Sequence, residues 1–157
     1  SAGSRLDRLH PSAMTLWRIE YAYRGALFVA FALAGELMID LPLPTGLLAF
    51  ILAVITIAVV VLVPPARYGA WGYRLRDQDL YLRRGILFRT TTIVPHARIQ
   101  HVDTRHGPID RWLGLAAVVV FTAGTRGAVI SIPALAADAA ETLRDRLAAL
   151  SGAGDAV

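Results

Sequence analysis

The run from Leu47 to Val63, "LLAFILAVITIAVVVLV", constrains the fold more than any other part of the chain. It carries no charge, and only Thr56 interrupts its apolar character. As a helix rising about 1.5 Å per residue it covers about 25 Å, and the flanking "LPTG" brings it close to the roughly 30 Å hydrocarbon core of a bilayer. We therefore predict a membrane span, which the prolines at 64 and 65 end because they interrupt helix hydrogen bonding.

A second apolar run, "GALFVAFALAGELMI", lies upstream from Gly25 to Ile39. Alone it is short enough to be a buried helix. Aromatic side chains and Arg24 precede it, where residues of a membrane interface belong, and the turn "LPLPTG" is too short for anything but an antiparallel connection. We predict an amphipathic leader over residues 1–23 and a transmembrane helical hairpin over 24–65.

Two features of this hairpin have alternative interpretations. Glu36 is either a functional contact to another membrane subunit or a side chain that reaches the bilayer interface, and we favour the interface. Small residues also recur every four positions, which lets helix backbones approach closely, either within the hairpin or against a partner. These candidate helix-packing residues are Ala22, Ala26, Ala30, Ala34, Ala49 and Ala53.

Beyond Tyr68 the pattern changes to short alternating segments. "YRLRDQDLYLRRG" predicts a strand, a tight turn and a strand, and the β-branched "TTTIV" predicts another. "LAAVVVFTAGTRGAVISI" predicts a hairpin with strands at about 116–121 and 128–132. Asp138 and Glu141 resemble a capping box, and a leucine stripe follows, so one amphipathic helix closes the chain. We assign a domain to 68–150, in which the helix packs on a curved sheet or barrel, and a flexible tail to 151–157.

The residues of this domain carry a family resemblance. Gly85, the run "VP..RIQ.V" from Val94 to Val102 and the run "R..GLA.V" from Arg111 to Val118 resemble the bacterial pleckstrin-homology (PH) domain of the YdbS and YdbT type. The leader "LHP" and the paired spans also fit that membrane-anchored family. The resemblance implies a membrane-anchored α+β protein, with a PH-like split β-barrel capped by a C-terminal α-helix. It implies no catalytic activity and no cofactor.

The histidine-rich stretch "VPHARIQHVDTRHGP" raises the question of a metal site. His96, His101 and His106 lie five residues apart, so along a strand successive rings point to opposite faces, and turns bracket them. We prefer exposed strand and loop histidines, and we predict no metal site. The chain has no cysteine, no "GxSxG" elbow and no glycine-rich phosphate loop between a strand and a helix. An enzyme is therefore disfavoured.

Arginine supplies all the positive charge of the chain apart from histidine, and its distribution predicts orientation and binding. Arginines lie on both outer sides of the hairpin and none lies in its turn, so we expect both termini and the PH-like domain on the cytoplasmic side of a bacterial inner membrane. From Trp71 to Pro133 there are nine arginines and four aspartates. Candidate contacts to lipid or to a partner are Arg83, Arg84, Arg89, Arg98, Arg105 and Arg126.

The function that these observations favour is protein interaction at the membrane. We expect an accessory or scaffold subunit that stabilises a membrane protein complex, with other membrane proteins or further copies of the chain as partners, bilayer lipids as surroundings, and no nucleic acid. The alternative is a module that senses anionic lipid and is linked to envelope stress.

Overall fold

The protein consists of two compact units, and a computed structural model describes its residues 5–124 and 128–155. One unit comprises residues 14–66. The other comprises residues 1–13 together with 67–157, so the start of the chain belongs with the domain that follows the hairpin. The elements are α1 (Ala13–Met38), α2 (Leu47–Ala70), β1 (Gly72–Leu75), β2 (Asp79–Arg84), β3 (Thr90–Pro95), β4 (Ile99–Arg105), α3 (Pro108–Leu113), β5 (Leu115–Thr122), β6 (Val129–Ala136) and α4 (Ala137–Asp155).

The helices α1 and α2 contain nearly all of the two apolar runs, and the short connection between them follows Met38; the crossing of a membrane by both helices stays a prediction. Of the described residues, only α2 is both long enough and apolar enough to cross a membrane. The prediction that Pro64 and Pro65 end this helix is wrong, because α2 continues through both of them to Ala70. A proline has φ near the helical value and costs mainly the hydrogen bond that its missing N–H cannot donate, so a helix held by its surroundings continues past it. Pro64 is buried.

The α1–α2 connection is held by the carboxylate of Glu36. Its two oxygens accept hydrogen bonds from the backbone N–H groups of Gly46 and Leu48, each at 2.7 Å. These donors lie at the start of α2, where backbone N–H groups have no partner within the helix and the helix dipole favours negative charge. The structure therefore shows a role for Glu36 that neither interpretation included, the capping of α2 within the chain.

Six strands form two antiparallel three-stranded sheets, in the orders β1-β2-β3 and β4-β5-β6. The register of β4 shifts between Ile99 and His101, which is typical of a β-bulge. Helix α4 packs against β4, β5 and β6. It begins at Ala137, one residue before the predicted cap, and it remains helical to Asp155, past the predicted end of the domain at residue 150; flexibility of the tail stays a prediction.

The core of this domain is formed by residues of both sheets, by the leader and by α4. Leu80, Leu82 and Val94 are buried in the first sheet, and the second sheet buries most of the run from Leu115 to Val120. From α4, Ala140, Leu143 and Leu147 complete the core at helical spacing. Helix α1 begins at Ala13, inside the predicted leader, and from here on the leader means the residues that precede α1. Leu9 of the leader is 2% exposed, so this segment is part of the core.

Candidate functional site

A concave surface of the domain is an arginine-lined cavity of about 690 Å³, which we call the arginine cavity. Three kinds of segment line it: the leader, the end of α2 with the residue after it, and one face of β1 and β2. Its lining residues are Arg5, Leu6, Arg8, Gly69, Trp71, Arg74, Arg76, Tyr81 and Arg83.

Strand alternation places the cavity residues of β1 and β2 on one face. Arg74 pairs with Tyr81 in the antiparallel register and Gly72 pairs with Arg83, so all four positions face the same side. Leu80 lies on the opposite face and is buried. The sequence "YRLRDQDLYLRRG" therefore separates an apolar face for the core from an arginine-rich face for the cavity.

The arginines of the cavity differ in their partners. Arg76 forms a two-point ion pair with Asp79, in which Nη2 donates to Oδ2 at 3.0 Å, and this hydrogen bond raises the pKa of Arg76. Its guanidinium also lies 5.1 Å from the centre of the Tyr81 ring. In Arg83, by contrast, the Nε atom is buried and has no hydrogen-bond acceptor among the described residues. Such a donor is rare in folded proteins, because burial without a partner is costly.

The leader forms its side of the cavity by pairing with β1. The backbone N–H of Asp7 donates to the carbonyl of Tyr73 at 2.7 Å, and the N–H of Tyr73 donates back to Asp7 at 3.0 Å. Leu6 lies against Gly72, where a Cβ atom would come 2.7 Å from Leu6 Cδ1. The leader thus adds a short extended segment to the edge of the first sheet, and Arg5 and Arg8 come with it.

Two further contacts hold the leader. The hydroxyl of Tyr68 donates to the carbonyl of Leu9 at 3.0 Å, and the N–H of His10 donates to the carbonyl of Ala134 at 2.9 Å. Ala134 has φ of 57°, in the left-handed region that a residue with a side chain seldom occupies. Burial, and next the negative charge of Asp7, raise the pKa of the Tyr73 hydroxyl above its ordinary value.

A second surface is the loop between β2 and β3, residues 85–89, which we call the apolar loop. Ile86, Leu87 and Phe88 are 46%, 89% and 86% exposed. Gly85 begins this loop with φ of 105°, and a Cβ there would lie 1.9 Å from the carbonyl oxygen of Phe88. Only glycine fits this turn without strain. Three consecutive exposed apolar side chains are typical of an interaction surface.

The histidine-rich stretch does not form a cluster. His96 is 6% exposed, and its Nε2 lies 2.9 Å from the carbonyl oxygen of Arg76. His101 is exposed and stacks on Phe121 with ring centres 4.1 Å apart, and His106 is exposed elsewhere. Across residues 5–124 and 128–155, no group of three His, Asp or Glu side chains is arranged to hold a metal ion. Asp110 accepts a hydrogen bond from the N–H of Gly107 at 3.0 Å and caps α3.

The predicted arginine contacts are dispersed over the domain. Arg83 lines the arginine cavity, Arg84 is exposed directly before the apolar loop, and Arg89 is exposed as the last residue of that loop. Arg98 is exposed in the short 3₁₀ turn His96–Arg98, and Arg105 is exposed at the end of β4. Arg126 lies outside the described residues. A binding role for each of these arginines stays a prediction.

The alanines predicted to pack helices also differ in burial. Ala49 is buried and Ala53 is half-buried on α2, whereas the α1 stripe is exposed at all four positions, Ala22, Ala26, Ala30 and Ala34. The close approach of α1 to α2 occurs instead at Gly25, which the alanine spacing did not indicate. A Cβ at this position would lie 2.1 Å from Cγ2 of Thr56. Packing of the α1 stripe on another chain stays a prediction.

Sequence reasoning missed four of the five cavity arginines. Strand alternation is a signal for Arg74 in β1 and for Arg76, which directly follows β1 two residues later. For Arg5 and Arg8 the sequence carries no comparable signal, because 53 residues, 14–66, separate the leader from the remainder of its unit.

Comparison with known proteins agrees with this architecture. The family model described as Bacterial PH domain matches residues 26–151. The chain is 31% identical over 153 residues to the UPF0699 transmembrane protein YdbS of Bacillus subtilis (strain 168), covering 95% of this chain and 94% of the relative. No solved structure matches the chain. The chain therefore belongs to the bacterial PH domain family and is similar to a transmembrane protein along nearly its whole length.

Proposed function

We propose that this protein is a non-catalytic, membrane-anchored PH-like module that binds another membrane protein as an accessory or scaffold subunit. The observation that carries the proposal is the apolar loop, whose three apolar side chains stay exposed although the remainder of the domain has a well-buried core. We also propose that the two sheets and α4 form the split barrel typical of PH-like folds.

The leader supports a membrane hairpin with two crossings. Asp7 and Leu9 pair with residues that follow α2, so the chain before α1 and the chain after α2 lie in one folded unit. A folded unit lies on one side of a bilayer, and hence an even number of crossings separates its two parts. Because α2 meets the requirements of a span, α1 is the second crossing. Arginines at both outer ends favour the cytoplasmic side of the cytoplasmic membrane for this unit.

The chemistry of the apolar loop suits a protein partner. Leu87 and Phe88 are nearly fully exposed at a tight hairpin, and they present contiguous apolar surface at little further cost in loop ordering. Arg84 and Arg89 flank them, which gives the patch the polar rim seen around interface cores. Anchoring in the bilayer raises the effective concentration of membrane partners, so a contact of this small size is sufficient.

Photocrosslinking from the loop tests this proposal. With p-benzoylphenylalanine in place of Leu87 in the full chain, we expect irradiation of native membranes to give a protein adduct of discrete mass. The matched control carries the same group at Ile93, which is exposed on β3 outside the loop. Leu87→Ser with Phe88→Ser is expected to abolish co-purification of the crosslinked protein in mild detergent. Adducts to lipid alone, or a chain recovered only as a monomer, contradict the proposal.

A second candidate function, the sensing of anionic lipid, is supported by a different observation. The arginine cavity gathers five guanidinium groups, and Asp79 neutralises one of them. Full-length protein that binds phosphatidylglycerol and phosphatidylcholine equally well contradicts this candidate function.

A further inference from the structure

We infer that the arginine cavity is a binding site for a phosphate-ester anion, with the headgroup of an anionic phospholipid as its favoured source. The inference rests on the second candidate function, anionic-lipid sensing, and names the site and the ligand class for it.

The charge of the cavity calls for an anion. Arg5, Arg8, Arg74, Arg76 and Arg83 line it, and none of its lining residues is acidic. Asp79 pairs with Arg76 alone, and in the described part of the chain no carboxylate forms an ion pair with the other four. Like charges gathered in a concave surface repel one another and focus a positive potential, which a bound anion relieves.

Arg83 provides a donor that the protein itself does not satisfy. Its Nε is buried, and among the described residues it has no hydrogen-bond acceptor. Arginine presents its N–H groups in a planar fork that matches two oxygens of a phosphate group. A phosphate oxygen in the cavity satisfies this buried donor, whereas a cation or an apolar ligand leaves it unpaired.

Size and position indicate which phosphate compound fits. A cavity of about 690 Å³ is within the range of small-molecule sites and exceeds the need of one inorganic phosphate ion. Gly69 lines the cavity from the last turn of α2. At about 1.5 Å per residue, this helix of 24 residues is about 36 Å long, so its end extends past a hydrocarbon core of roughly 30 Å. Phospholipid headgroups occupy that depth.

The test measures binding of defined lipids to the full chain in dodecylmaltoside micelles. Short-chain phosphatidylglycerol is compared with phosphatidylcholine, whose choline cation opposes the arginines. Free glycerol 3-phosphate is a third arm. We expect Arg74→Gln with Arg83→Gln to raise the Kd for phosphatidylglycerol at least about tenfold, because charge-assisted hydrogen bonds to phosphate are lost. A second variant, Arg5→Gln with Arg8→Gln, alters two exposed side chains and is expected to act in the same direction.

The matched control is Arg111→Gln with Arg146→Gln, which removes the same charge at exposed positions outside the cavity. An unchanged Kd in this control, together with the loss in both cavity variants, supports the site. Competition by glycerol 3-phosphate at similar affinity assigns the ligand to soluble phosphate esters, whereas selective binding of the lipid assigns it to the bilayer.

Two results overturn the inference. An equal rise of the Kd for phosphatidylglycerol in the control and in the cavity variants shows general electrostatic attraction and no specific site. A phosphatidylglycerol preference that persists in both cavity variants, with their thermal unfolding unchanged, leaves lipid sensing intact but excludes this cavity. Separately, equal Kd values of the wild-type chain for phosphatidylglycerol and phosphatidylcholine contradict the candidate function itself.

Discussion

At the scale of single residues, charges that look functional in the sequence serve the fold in this protein. Glu36 lies inside an apolar run, where an ionised carboxylate is costly unless it is paired or hydrogen-bonded. The structure supplies two backbone donors at the start of α2 for its two oxygens. His96 is comparable, because it is buried with its Nε2 at the carbonyl of Arg76.

Removing the Glu36 carboxylate is expected to destabilise the hairpin. Glu36→Ala leaves the N–H groups of Gly46 and Leu48 without their acceptor, at a cost of about 1–3 kcal/mol. Glu36→Gln keeps one acceptor oxygen and loses less. The thermal unfolding midpoint of the full chain in detergent measures both effects, and Asp40→Ala, at an exposed position, is the control. If the Glu36→Ala midpoint equals that of the control, the capping role is refuted.

Tyr73 is expected to make the domain sensitive to alkali. Burial raises the pKa of its phenol above the ordinary value of 10.0, so the folded state keeps the proton more tightly than the unfolded state does. Well below pH 10.0 the phenol is protonated in both states, so it does not change the free energy of unfolding. Above it, the unfolded state ionises first, and stability falls until pH passes the folded pKa.

The measurement compares thermal unfolding midpoints between about pH 9 and pH 11 for the wild type and Tyr73→Phe. The variant is expected to lose less stability over this range, because phenylalanine has no proton to release. The outcome that excludes this explanation is an identical pH slope in both proteins. Tyr23→Phe, at an exposed position, controls for general effects of the substitution.

At the scale of elements, α1 and α2 meet through a glycine. Gly25→Ala is expected to destabilise the hairpin by about 1–3 kcal/mol, because the new methyl group would overlap the side chain of Thr56. Gly35 is the internal control, since a Cβ there meets nothing within 4 Å. Gly35→Ala is expected to leave stability unchanged or raise it slightly, as alanine favours helix. An unfolding midpoint that falls in Gly25→Ala and does not fall in Gly35→Ala confirms the contact. Equal midpoints of the two variants contradict it.

The sequence predicted those elements that depend on a pattern of neighbouring residues, and it did not predict contacts between residues far apart in the chain. The alternation around Leu80 and Leu82, the apolar run at β5 and the leucine stripe of α4 are local signals, and each marks the element that forms there. Pairing of the leader with β1 was not predictable, since it depends on residues far apart in the chain. The passage of α2 through Pro64 likewise depends on packing beyond local propensity.

The candidate sites divide in the same way. The exposed run "ILF" between β2 and β3 follows a predictable hairpin, yet exposure itself became visible only in the folded chain. The arginine cavity needs two remote segments on one surface, so charge counting found Arg83 but not its neighbours Arg5 and Arg8.

At the scale of the whole molecule, the shared unit of leader and domain requires both to lie on one side of the membrane. The 157 residues of this chain include no cysteine, so a single introduced cysteine is the only site in them that a maleimide labels. At the exposed positions Thr15, Thr45 and Ala123 we expect a two-sided pattern. A membrane-impermeant maleimide applied to intact cells labels Thr45→Cys, whereas Thr15→Cys and Ala123→Cys react only after the membrane is opened. Labelling of Thr15→Cys and Ala123→Cys from different sides would falsify the hairpin.

Deleting the leader is expected to damage a domain that begins more than fifty residues later. Without residues 5–12, the partners of Tyr73, Tyr68 and Ala134 are lost, and the core no longer contains Leu9. Limited proteolysis of the truncated chain in detergent is expected to cut the domain faster than in the wild type. Replacing the same residues by a flexible sequence of equal length separates loss of contacts from loss of length. Protection equal to the wild type in either variant contradicts a structural role for the leader.

The pairing of Asp7 with Tyr73 also means that the domain cannot be completed until the hairpin has been synthesised. The leader leaves the ribosome first and finds its partner strand only after residues 14–66 have been made, so the domain closes across the complete hairpin. A hairpin that inserts with one crossing leaves the leader and the strand in different compartments, with the core incomplete. If both helices cross the membrane, as we propose, completion of the domain distinguishes a correctly inserted chain from a misinserted one, and we expect proteases to degrade the misinserted chain faster.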